Sequence, residues 1–179
     1  MASEPGVPGI EVVRYLFAYH AWAGERLFAA VERCDVNRWP KAIAGGHGDG
    51  SLFATLAHMV GAEQRWYQRW HGVPLAELRD DGHYGTVVEV AGEWREVQRK
   101  RRDWLASMTG ESLSGDVCYV ASRGAEERNP LWQTLLHVAN HTTHHRAEAC
   151  VALTSHGAPP QSVDLIDFIR AGSPGAGAM

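Results

Sequence analysis

The sequence predicts an all-α fold, a four-helix bundle with a short strand or hairpin between its third and fourth helices. Three observations predict it. Four long segments repeat their apolar residues at helical spacing. A stretch punctuated by Gly110, Gly115 and Gly124, with a short apolar run at 117–120, separates the last two. With 45% apolar and 21% charged residues, a chain of 179 residues suits one globular domain whose core needs no staples. That domain is expected over 9–170. Residues 1–8 and 171–179, rich in Gly, Pro, Ala and Ser, read as flexible tails.

The first helix runs from Ile10 to about Arg33, with Val13, Leu16, Phe17, Leu27, Phe28 and Val31 at helical spacing. His20 lies at the centre of that apolar stripe and should point inward. A lone histidine there is commonly a hydrogen-bonded core residue, but a bundle core is also where helical metal sites are built, so His20 stays a pocket-lining candidate. The stretch 35–50, with Pro40 and four glycines, reads as a loop. Ser51 then suits the N-cap of a second helix that Gly72 and Pro74 end near His71. Its apolar face is Leu52, Phe53, Leu56, Val60 and Tyr67. His58 lies on another face, among Ser51, Ala54, Ala62 and Arg65. Such small neighbours fit a cavity or a close helix crossing, and equally a plain exposed face.

A loop at 73–84 precedes a third helix from about Thr86 to Met108, apolar at Val87, Val90, Trp94, Val97, Trp104 and Leu105. Its basic run 98–102 reads as a solvated face. The fourth helix covers about 130–155: Pro130 suits its first turn, Asn129 can cap it, and Gly157 with Pro159 and Pro160 stops it. Val163–Arg170 is a short apolar segment expected to pack back on the bundle. The seven tryptophans read as core and rim packing.

The fourth helix holds four of the ten histidines, His137, His141, His144 and His145. His137, His141 and His145 are four apart, each step about 40° around the axis and about 6 Å along it. Neighbours in such a row can reach one metal ion. Glu148 continues the row, while His144 stands about 60° off His141. Solvent faces usually carry Lys and Glu, and imidazole is the commonest transition-metal side-chain ligand, so the row reads as turned toward a metal.

The net charge of −4 offers no electrostatic case for nucleic acid or an anionic membrane as partner. No stretch approaches the length of a membrane-spanning helix, and the first nine residues lack the basic and apolar regions of a secretory leader. Cys34, Cys118 and Cys150 have no paired spacing, so reduced thiols in a cytoplasmic protein are expected.

Four pieces of the chain together resemble the DinB/YfiT-like family of metalloenzymes. AYHAWAGERLF (18–28) is similar to the family's first-helix pattern, and SLFATLAHMVGAEQRWYQRW (51–70) to its second, with a histidine followed five later by Glu63. LLHVANHTTHHRAEA (135–149) resembles the signature of its last helix and PPQSVDLIDFIR (159–170) its C-terminal finish. The resemblance implies a four-helix bundle holding one divalent metal by three histidines, here His58, His141 and His145; three imidazoles suit zinc, nickel, iron or copper. His137 matches a frequent histidine that is not usually a ligand. The chain departs from the family at His20 and Gly24, where asparagine is common, and at Ala147-Glu148, where Gly-Gln is common.

Three neutral ligands leave open positions at which a thiol or water loses its proton more easily. Some relatives use such a site in reactions that depend on low-molecular-weight thiols, including bacillithiol and mycothiol. The expectation is therefore a thiol-dependent S-transferase acting on a small-molecule substrate with a thiol cosubstrate. Glu148 and His20 are the candidate catalytic groups, and Glu148 could instead bind the metal or orient His145. A metal-dependent hydrolase and a non-catalytic metal-stabilised module are the rivals. Bundles of this size often pair, so a homodimer is expected.

Overall fold

Local chain chemistry sets the helix ends. In the computed structural model, which describes residues 6–34, 48–74, 84–121 and 124–178, α1 spans Ile10–Val31, α2 Leu52–Trp70 and α3 Val87–Ser107. The Ser51 hydroxyl accepts the N–H of Ala54 at 3.0 Å and the Thr86 hydroxyl that of Glu89 at 3.2 Å, so both helices start on a side-chain cap. A hairpin of β1 (Asp116–Val120) and β2 (Glu126–Pro130) leads into α4 (Leu131–Ser155). Its strands are antiparallel, with Asp116 opposite Pro130 and Val120 opposite Glu126. Gly72 and Gly157, at φ 70° and 75°, close α2 and α4 with bonds from Val73 N to Gln68 O and from Ala158 N to Leu153 O. Most of the loops expected at 35–50 and 73–84 lies outside the described residues.

Asn129 is not the cap of α4. The strand runs directly into the helix, so Pro130 occupies the cap position without a side-chain bond. The N–H of Leu131 goes to the Gly115 carbonyl instead, and Asn129 Oδ1 accepts the Tyr119 hydroxyl at 2.9 Å. Sheet pairing does locally what a cap would have done.

α4 packs on α1 and α2, and α3 packs on the same two, so α1 faces α2 across the diagonal. The buried apolar residues fall into two clusters. One joins Leu27 and Val31 of α1 to Leu56 and Val60 of α2, Trp94 of α3 and Leu153 of α4. The other joins Val13 and Phe17 of α1 to Leu105 of α3 and Leu135 and Val138 of α4. Hence α1 and α4 run toward one end of the bundle and α2 and α3 toward the other, a variant of the simple antiparallel bundle.

The closest approach of α1 and α3 is at Gly24. A Cβ there would lie 2.0 Å from the Trp94 ring, so glycine is required by the fit. A short helix, α5 (Leu165–Arg170), folds back as expected. It buries Phe168 against Tyr15, Tyr19 and Trp22, with ring centroids 5.4 to 5.8 Å apart. Beyond it, Ser173 Oγ lies 2.9 Å from the Tyr15 hydroxyl, which sets the chain after Arg170 against α1.

Between the two apolar clusters lies a polar layer to which all four helices contribute. Its hub is Glu63 of α2, which is fully buried. Oε1 accepts from the Thr142 hydroxyl (α4) at 2.7 Å and from Nε2 of His20 (α1) at 2.5 Å. Oε2 accepts from Arg101 at 2.5 Å and Gln98 at 2.8 Å, both on α3. Burial pushes this carboxyl up, but Arg101, His20 and Thr142 together hold it far below the usual carboxylate range.

The basic run 98–102 is therefore not wholly solvated. Arg99, Lys100 and Arg102 face water, whereas Arg101 is 1% exposed. It continues the inward row Trp94, Val97, Arg101, Leu105, and the buried Glu63 explains a charge there.

Candidate metal centre

His58 comes from α2, and His141 and His145 from one row on its neighbour α4. Gly61 and Ala62 are buried, so the small residues around His58 serve a close helix crossing rather than an exposed face. The crossing brings one ring nitrogen from each of the three histidines within 4.8 Å of the other two. Nε2 of His141 and Nε2 of His145 are 3.2 Å apart. The His58 ring centroid lies 5.3 Å from that of His141 and 4.8 Å from that of His145. His145 is buried, while His58 and His141 are half-buried, so the cluster faces water on one side.

Glu148 sits behind His145, with Oε2 2.8 Å from its Nδ1. Its other oxygen lies 3.1 Å from Nε2 of the exposed His144. A carboxylate only accepts, so the hydrogen bond assigns the proton to Nδ1 and leaves a bare lone pair on Nε2 facing His141. Burial, then the imidazoles of His145, His58 and His137, pushes His141 down to about 4, which keeps it neutral near pH 7. Burial lowers His145 as well, against the pull of Glu148.

This donor set fits a divalent transition metal. With metal–nitrogen bonds of about 2.0 Å, two nitrogens of a tetrahedral site stand roughly 3.3 Å apart. The His141–His145 separation is close to that already. A carboxylate on the far nitrogen of His145 orients that ring as such ions require. His144, His145 and Glu148 form a second close group, but its short distances are the hydrogen bonds just described.

The other candidates lie around this cluster. His137 is one turn before His141, its ring 5.2 Å from Trp66 and 5.6 Å from His141. His20 points inward as expected, in the polar layer rather than among the three histidines. Burial pushes it down to about 4 despite Glu63, so it is neutral, donates from Nε2, and leaves Nδ1 without a partner. Glu63, Gln98, Arg101 and Thr142 were not legible as site neighbours from spacing alone. The available signal was that Glu63 and Arg101 interrupt otherwise apolar inward rows.

Fold and site together define a helical bundle with three histidines, from two adjacent helices, gathered at one point. The model of the DinB family matches residues 10–175, and the chain belongs to that family. No curated protein matches the chain. No helix among the described residues is long and apolar enough to cross a membrane.

Proposed function

We propose that the chain is a metal-dependent enzyme in which His58, His141 and His145 hold one divalent ion and a low-molecular-weight thiol is the cosubstrate of a transfer reaction. The observation that carries this reading is the position of Glu148. Both its oxygens are engaged by histidine nitrogens, one of them Nδ1 of His145, on the side of that ring away from His141. It is thus an orienting group and not a fourth ligand, which leaves positions open for chemistry. A bound ion would supply Lewis-acid chemistry there, stabilising the anion of a thiol or of water.

The chain's own residues then divide the work. Glu148 fixes the His145 ring and keeps its proton on Nδ1. Thr142, next to His141 in sequence, anchors this turn of α4 to Glu63, and His20 holds Glu63 from the opposite helix. His20 is therefore a positioning residue. A cavity of about 240 Å3 lined by Trp66, Tyr119 and His137 lies one helical turn from His141 and offers an aromatic wall for a small substrate. We place the reaction in the cytoplasm, where small thiols stay reduced.

The test is turnover by the metal-loaded protein against two panels. Thiol consumption with alkylating and epoxide electrophiles, abolished in His141→Ala, supports the transferase. Turnover confined to esters and amides, without thiol, would make the protein a hydrolase. Silence on both would make it a binding module.

A further inference from the structure

A cavity of about 670 Å3 opens between α1 and α3, and it shares no residue with the three-histidine cluster. From its chemistry we propose that it is a binding site for an amphipathic organic anion, a flat apolar body bearing a carboxylate, sulfonate or phosphate. Its volume is that of a pocket for one small organic ligand. The walls are mainly apolar. Small side chains at Ala18, Ala21 and Ala29 leave the space, and Phe17 and Trp22 supply aromatic surface.

Charge selects the ligand. Six arginines line the cavity against one carboxylate, Glu25. Four of them are occupied: Arg95 by Glu25 and Glu32, Arg99 by Glu96 and Asp103, Arg101 by Glu63, and Arg102 by Asp103. Arg26 and Arg33 have no carboxylate partner at ion-pair distance among the described residues. Arg26 lies 4.0 Å over the Trp22 ring and donates to the Ser162 carbonyl at 3.3 Å, and Arg33 donates to the Ala29 carbonyl. Each keeps guanidinium donors for an anion beside an apolar wall.

The floor is fixed in advance. Arg101 and Gln98 both reach Glu63 in the polar layer, so the cavity does not have to be built on binding. A second copy of the chain fits less well, because a two-fold contact through this face would set arginine against arginine.

The test uses 8-anilinonaphthalene-1-sulfonate and its uncharged analogue N-phenyl-1-naphthylamine as fluorescent probes of the folded, full-length protein. The expected result is saturable binding of one sulfonate per chain, at least about tenfold tighter than the neutral analogue and weakened by salt. Arg26→Glu with Arg33→Glu should weaken it about tenfold or more, and Ala21→Trp should abolish it by filling the space. The arginine pair is on the surface, so it reads out the site even if Ala21→Trp does not fold. Equal affinity for both probes, or unchanged binding in the arginine variant, overturns the proposal. So does a wild-type dimer that Ala21→Trp converts to monomer, which would make the face an interface between copies.

Discussion

Oε2 of Glu148 lies 2.8 Å from Nδ1 of His145, so the carboxylate and the neighbouring imidazole of His141 address opposite nitrogens of one ring. Glu148→Ala removes that orientation without touching a ligand atom. Metal affinity, measured by competition with a chromogenic chelator, should fall about 10- to 100-fold. Glu148→Gln, whose amide oxygen can still accept from Nδ1, should lose less. Equal affinity in wild type and Glu148→Ala would remove Glu148 from the site.

Glu63 is the carboxylate that compensates the buried Arg101 charge, and the Gln98 side-chain oxygen accepts from another of its donors. Glu63→Ala leaves that guanidinium uncompensated, at a cost of about 3–5 kcal/mol by urea unfolding. Glu63→Ala with Arg101→Met should recover much of the loss. If the double variant is as unstable as the sum of the single ones, the pair is not coupled.

Acid should destabilise the fold before carboxylates titrate. His20 is held at about 4 in the folded chain, while an unfolded histidine titrates near 6.5. Between these values the unfolded state binds the extra proton, so stability falls as pH drops from about 6.5 to about 4, by up to roughly 1.4 kcal/mol per pH unit for this one group. The lowered His141 and His145 act in the same direction in the metal-free protein. Urea midpoints at pH 7.5, 6 and 5 test this, and His20→Gln should flatten the slope. A slope unchanged by His20→Gln would contradict the buried neutral state.

Gly24→Ala should cost about 1–3 kcal/mol, because its Cβ would overlap the Trp94 ring. Trp94→Phe should relieve part of this in a double-mutant cycle. Additive losses would mean that the two residues do not meet.

The helices were legible in the sequence because their signals are local. Ser51 sits where its hydroxyl must cap, and Gly72 and Gly157 where the chain must turn left-handed. The row of His141 and His145 was legible for the same reason. His58 was not placed by its own helix, since what brings it to the cluster is the crossing of α2 and α4, a tertiary event. Likewise Arg101 reads as solvated within its basic run and is buried by Glu63, a residue 38 positions away. Asn129 shows the converse: a good local cap displaced by strand pairing.

Whether His58, His141 and His145 hold one metal ion is read from metal content by mass spectrometry, on tag-free wild type beside His58→Ala and His141→Ala. About one divalent ion per chain in wild type, lost in both variants while the helical circular dichroism remains, is the predicted result. No stoichiometric metal after reconstitution with zinc, nickel and iron, or full retention in His58→Ala, would contradict it.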